Sequence, residues 1–304
     1  MPLNPDAEKG KEGRLYIVST PIGNLADITL RALDTLRAVD LIAAEDTRHT
    51  RKLLSYYGIH KPLISYHEHN AMQRGGELIE KIASGLSVAL VTDAGTPGVS
   101  DPGRFLIDSA LQRGVEPIPI PGPTAVIPAL IVSGLSPQPF VFLGFPPVKG
   151  AERRKFFEKN ACLAMTLILY ESPGRLVKTL KDMLGNWGER RVAVARELTK
   201  IHEEIFRGSI SEAIDHFTGK VRGELTVVVE GAGPGLNNSK CCPDPESSNP
   251  SVWKDELKNL LSQGLSSKET ASTIAARFNI PRRMVYQAAL EIKRGQTRPP
   301  LEKL

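Results

Sequence analysis

The stretch "VALVTDAGTPGVSDPG", residues 88 to 103, decides the fold. An apolar run from Val88 to Val91 stops at Asp93, and three glycines and two prolines follow within ten residues. A buried strand that ends in so much bare backbone reads as the end of a sheet where a ligand is held by main-chain groups. The stretch has no Lys or Arg before Arg104, so it is a poor phosphate clamp. Its N–H groups suit a carboxylate and its carbonyls suit an ammonium. That pair belongs to an amino-acid-like ligand.

Outward from this stretch, apolar runs alternate with helical patterns. "LYIVS" (15–19), "DLIAAED" (40–46), "PLISYH" (62–67), "LSVALVTD" (86–93) and "VEPIPIPG" (115–122) read as strands. Between them, "ITLRALDTLRAV" sets Leu30, Leu33 and Leu36 near one helical face, and "GGELIEKIASG" is helical too. The alternation predicts an α/β unit with a largely parallel sheet. A second set begins near Pro123. "PTAVIPALIVSG" is helical in pattern despite Pro128. "FVFLGF", "TLILYES", "RVAVARE" and "LTVVVEG" are strands, and "SPGRLVKTLKDML" is a helix. The close strands in "RVAVARELTKIHEEIFRG" predict a mixed sheet with a hairpin. The expected organisation is a leader over 1–13 and α/β domains over 14–121 and 122–233. A linker over 234–250, a helix-turn-helix block over 251–298 and a tail over 299–304 follow. In the block, Ser266 and Glu269 fit a capping box. Ala271, Ile274, Ala275 and Phe278 form one face, and Val285, Ala288, Ala289 and Ile292 the next. "FNIP" is the turn between them.

The chain has 304 residues, 41% hydrophobic and 24% charged, with a net charge of +5. That supports two domains with an appendix, and it permits a nucleic-acid partner without demanding one. No apolar run is long enough to span a bilayer, and the polar start has no signal core. Cys162, Cys241 and Cys242 form no metal spacing and no disulfide framework. The chain reads as soluble and cytoplasmic.

Several strand ends carry candidate chemistry. "STPIGNLADIT" (19–29) brings Pro21 and Gly23 to a strand–helix turn. It lacks the G-x-G-x-x-G spacing of dinucleotide sites, and no P-loop occurs anywhere. In "AAEDTRHTRKLL" (43–54), Glu45 and Asp46 close a strand, and Asp46 fits a helix cap as well as a site acid. Arg48 and Arg51 beside them suit phosphate. Thr124 and Ala125 open a helix directly after a strand, Tyr170 and Glu171 close another, and "ARELTKIHEE" gathers Arg196, Glu197, Lys200 and His202. Nothing forms a catalytic triad or dyad, so covalent catalysis is not indicated.

These motifs occur in one order, and together the chain closely resembles the ribosomal RNA small subunit methyltransferase I family. That family lies in the tetrapyrrole methylase-like superfamily of S-adenosylmethionine-dependent enzymes. The strings "GTPGVSDPG" and "ARELTKIHEE" are the specific ones, and the resemblance covers most of the chain. It implies two α/β domains with a cofactor cleft between them. It implies S-adenosylmethionine as methyl donor, with no metal, and a homodimer. The substrate it implies is a cytidine ribose 2′-hydroxyl in the decoding region of 16S rRNA, presented by free rRNA or the small ribosomal subunit. By position, Gly95, Thr96 and Val99 match the superfamily's cofactor loop, with Thr96 where an Asp is usual. Thr124 and Ala125 match its small-residue pair, and Glu171 and Leu198 match later contacts.

The ribose hydroxyl needs a proton acceptor or an orienting group. Glu45 and Glu197 are the expected candidates, with Asp46 and Lys200 behind them. A Lys serves only if its pKa is lowered. Arg282 and Arg283, opening the second helix of the terminal pair, suit RNA or DNA. Two alternatives stay open: a methylase of the same fold acting on a tetrapyrrole or a protein, and a metabolite-responsive DNA-binding regulator.

Overall fold

A computed structural model describes residues 13–233, 250–263, 265–278 and 282–296. The expected leader, linker and terminal tail, the "FNIP" turn, Cys241 and Cys242 lie outside the described residues or at their margins. The chain forms two compact units, the first ending at Gly233.

The first unit holds two five-stranded sheets. Strands β1 (Leu15–Val18), β2 (Leu41–Ala44), β3 (Leu63–Ser65), β4 (Val88–Val91) and β5 (Pro117–Ile120) form a sheet of order β3-β2-β4-β1-β5. Every pairing in it is parallel. Helices α1 (Leu30–Ala38), α2 (Thr47–Tyr56), α3 (Ala71–Ala83) and α4 (Arg104–Gln112) connect the strands. A parallel sheet covered on both faces needs strands that are apolar throughout. β4 meets this demand: all four of its residues are buried. Leu36, Ile42 and Val91 belong to the core on one face, and Leu78, Leu90 and Leu106 to the core on the other.

One helical face differs from the sequence expectation. Leu30 is 80% exposed, whereas Ala32, Leu33 and Leu36 are buried. Positions 30, 33 and 36 drift around the helix at 100° per residue, and 32, 33 and 36 stay on one stripe.

β5 contains Pro117 and Pro119 because it is an edge strand that pairs with β1 alone. Ile120 accepts from the Ser19 N–H at 3.3 Å, so the even positions face β1 and the two prolines face outward.

The second sheet has the order β6-β7-β10-β8-β9, from β6 (Phe140–Phe142), β7 (Thr166–Glu171), β8 (Arg191–Arg196), β9 (Glu204–Ser209) and β10 (Leu225–Val229). It is mixed, and β8 and β9 form the expected hairpin. Helices α5 (Val126–Val132), α6 (Gly150–Asn160), α7 (Leu176–Trp187) and α8 (Ile210–His216) accompany it. Pro128 sits in the first turn of α5, where its missing N–H has no helical partner to lose.

The second unit contains α9 (Pro250–Ser262), α10 (Ser267–Phe278) and α11 (Arg282–Gln296). Ser266 and Glu269 exchange the two bonds of a capping box. Ala271 and Ile274 of α10 meet Val285 and Ala289 of α11 in one core. Trp253, Leu257 and Leu261 complete it from α9.

Candidate active site

In the first sheet, β1 and β4 are neighbours whose onward connections run to opposite sides, β1 to β2 and β4 to β5. A crevice opens at such a switch point, outside the carboxyl ends of the strands. The two loops that leave there are tied together. Thr20 and Gly95 exchange backbone bonds of 2.9 and 3.0 Å, and the Ser19 and Thr96 hydroxyls are 2.9 Å apart. The Gly95 main chain is therefore committed to the scaffold rather than open to a ligand. Gly95 also requires a glycine's freedom, with φ at +79°.

Above this crevice lies a cavity of about 450 Å³, within the range of small-molecule sites. From the first sheet's loops come Ile22, Gly95, Thr96, Val99 and Asp101. From the second half come Thr124, Ala125, Tyr170, Glu171, Leu198 and Glu224. Of the residues singled out in the sequence for a cofactor, Gly95, Thr96, Val99, Thr124, Ala125, Glu171 and Leu198 line it. Pro21 and Gly23 do not, although Ile22 between them does. Gly23 serves a different contact: a Cβ there would stand 2.4 Å from Lys200 Cγ.

Glu171 lines the cavity but does not offer its carboxylate. That group is buried, accepts from the Ser172 N–H at 2.7 Å and from the Thr179 hydroxyl, and pairs with Arg175 at 3.2 Å. Its role is to hold the start of α7.

The acids sort by environment. Asp46 caps α2 and pairs with Arg48 at 2.8 Å, which holds its carboxyl well below the ordinary range. Arg48 is thereby engaged on the surface, and Arg51 stands exposed on α2. Glu197 accepts from the Lys200 ammonium at 2.8 Å and is held below the usual value by that bond. Burial disfavours the charge on Lys200, but bonds to Glu197 and to Glu224 at 3.0 Å outweigh it and raise its pKa. Lys200 is a fixed ammonium, so neither member of that pair is a free base. Glu45 accepts from the Asp93 N–H at 3.3 Å and is pushed up chiefly by burial. It is not among the residues that line the cavity.

Asp101 was not singled out in the sequence, and it lines the cavity with its carboxyl uncommitted, unlike Glu171 and Glu224. Burial first, then the charges of Glu45, Asp93 and Glu224, push its carboxyl up to about 6. No hydrogen bond or ion pair joins it to another described residue. Tyr170 lines the same cavity, and burial, then the Asp101 charge, raise its phenol. Glu224 was missed for a topological reason. β10 runs antiparallel to β7 and β8, which sets Leu225 beside Glu171 and Arg196. The beginning of β10 thus shares the cavity with the ends of its neighbours.

This surface fits a methyl donor of the adenosyl-methionine type. Phe145 and Tyr170, with rings 5.4 Å apart, and Val99, Ala125, Ala195 and Leu198 make apolar walls for a flat ring. Asp101 and Glu224 present negative charge to a cationic group.

Two sheets with a cavity of this lining define a methylase of the tetrapyrrole class. The sequence matches the Tetrapyrrole (Corrin/Porphyrin) Methylases over residues 14–214. Among solved structures, a cobalt precorrin-4 methyltransferase of cobalamin biosynthesis shares the fold. Its TM-score is 0.55 at 20% identity, over 75% of this chain and 98% of its own. A protein of Synechocystis sp. named Ribosomal RNA small subunit methyltransferase I is 47% identical over 92% of this chain and 99% of its own. One of that name from Bacillus subtilis is 44% identical over 92% and 95%. A third, from Thermotoga maritima, is 49% identical over 99% of its length but 72% of this chain. The chain belongs to the ribosomal RNA small subunit methyltransferase I family of tetrapyrrole-type methylases. Among the described residues, no helix is long and apolar enough to cross a membrane.

Proposed function

We propose that the protein transfers a methyl group from S-adenosylmethionine to the ribose 2′-hydroxyl of a cytidine in the decoding region of 16S rRNA. The observation that carries this reading is 47% identity over nearly the full length to a relative of that name, joined to a cavity lined by an acid, Asp101, with no partner among the described residues. Thr96, Val99, Thr124, Ala125 and Leu198 hold the donor, and Gly95, lacking a side chain, leaves it room. When bound, S-adenosylmethionine supplies an electrophilic methyl on a sulfonium that leaves as a neutral thioether.

The chain's own residues align and deprotonate. Asp101 accepts the proton of the ribose hydroxyl as the oxygen's lone pair forms the new O–CH₃ bond. A base with a pKa near 6 is ionised at neutral pH and still holds the proton it receives, which is the useful range for this work. Burial keeps it there, helped by the charges of Glu45, Asp93 and Glu224. Lys200, clamped by Glu197 and Glu224, fixes the hairpin that closes one side of the cavity. Alignment and exclusion of water supply the remaining rate. Arg51 and the exposed Arg282 and Arg283 of α11 serve RNA contacts, and Arg48 adds to them if it leaves Asp46. Exposed Ile127, Ile131 and Ile201 offer an apolar surface to a second copy of the chain.

The test is methyl transfer to small ribosomal subunits lacking the modification, with the labelled nucleotide mapped. Label on one cytidine ribose supports the reading. Tight donor binding with label on no ribose overturns the substrate assignment and returns the tetrapyrrole or protein methylase.

A further inference from the structure

A second cavity, of about 340 Å³, is lined by Arg196, Glu204, His216, Phe217 and the loop Gly219–Arg222. Its cations fall into two kinds. Arg196 gives its Nε to Glu204 at 2.6 Å, and Glu204 also meets His216 Nε2 at 2.7 Å. The Arg196 charge is thus met by Glu204 within the cavity lining. The His216 ring packs against Phe206 at 4.9 Å and Phe217 at 4.7 Å. Lys220 and Arg222 are different. Both are exposed, and neither has an ion-pair partner among the described residues.

The loop that carries them runs straight into the first cavity. Gly223, Glu224, Leu225 and Thr226 all line the donor site. Arg222 is two residues from Glu224, at most about 7 Å of chain. The backbone oxygen of Arg222 accepts from Arg196 Nη1 at 3.4 Å, which ties the loop to the end of β8. Unpaired cations in a concave surface, held at the edge of a transfer site, match the negative backbone of a strand entering that site.

We propose that Lys220 and Arg222 form a phosphodiester subsite that grips the single-stranded RNA flanking the reactive nucleotide. The proposal rests on the rRNA reading above. Each cation that meets a phosphate releases counterions, so binding weakens with salt by a slope of about 0.7 per contact on a single strand.

The experiment measures binding of a single-stranded RNA oligonucleotide, as log Kd against log salt, for the wild type and for Lys220→Gln/Arg222→Gln. Methyl transfer to small ribosomal subunits is measured in parallel. The expected result is a slope smaller by about 1.4 and affinity weaker by roughly tenfold. KM for subunits rises, kcat holds, and S-adenosylmethionine affinity is unchanged. The charge-preserving pair Lys220→Arg/Arg222→Lys restores the slope. An unchanged slope in the Gln variant overturns the subsite, as does a wild type that binds no RNA. A lost slope in the Arg/Lys variant also overturns it, because the effect then follows from shape rather than charge. If wild-type protein methylates no subunit but the slope still falls in the Gln variant, the subsite stands and the rRNA reading falls.

Discussion

Replacing Asp101 with Asn separates what this acid does for folding from what it does for chemistry. The carboxyl rises from an ordinary 3.8 to about 6 in the folded chain, a gap of about 2 pH units. At about 1.4 kcal/mol per unit, full conversion would be roughly 3 kcal/mol. The group is only half-buried, so solvent screening reduces this to about 1 kcal/mol. The sign follows from proton binding. A raised pKa means that the folded chain holds the proton more tightly than the unfolded chain. The stability linked to it is complete below about pH 4 and is lost as pH climbs to about 6. Asn does not titrate. At pH 8 the variant should therefore be the more stable protein, melting about 2–4 °C higher, and the difference should shrink to nothing near pH 4. Single-turnover methyl transfer should fall by roughly 10²-fold or more, and donor affinity by far less. Thermal melts from pH 4 to 8, calorimetry of donor binding and rapid-quench transfer read all three. A variant that is less stable at pH 8 refutes the raised ionisation, and one that keeps its transfer rate refutes the base.

Glu45→Gln removes a negative neighbour of Asp101, so the inflection in the transfer rate against pH should move below 6. An unmoved or raised inflection would contradict the coupling. Glu197→Gln frees Lys200 from one clamp but leaves Asp101 in place; transfer should slow less than in the Asp101 variant while keeping the same pH inflection. Glu171→Ala strips the buried partner from Arg175 and Thr179 and should cost about 3 kcal/mol in denaturant unfolding. Gly223→Ala puts a Cβ 2.3 Å from the Glu197 carboxyl at φ +91°, and a loss of about 1–3 kcal/mol is expected.

Much of this was legible before any coordinates. Strands declared themselves by apolar runs, because a sheet covered on both faces admits nothing else. The donor loops declared themselves by glycine at strand ends. Asp101 escaped notice inside its own motif because Asp-Pro-Gly reads equally as a turn. Its difference from Asp46 lies in neighbours 45, 93 and 224, which no local pattern brings together. Glu224 escaped because the rule about carboxyl ends of strands says nothing of an antiparallel strand's beginning. The mutual neutralisation of Glu197 and Lys200 depends on a tight hairpin with Glu197 at φ 52° and Thr199 at φ 68°. Non-glycine residues in that region leave no signature in sequence.

The two prolines of β5 have an effect beyond the sheet they terminate. An edge strand normally advertises a row of unpaired donors to any extended peptide nearby. Here the outward positions 117 and 119 are imino nitrogens with no hydrogen to give. A stray strand arriving at that margin finds acceptors without donors and cannot zip into register. This border of the parallel sheet thus resists strand addition of the amyloid-like kind.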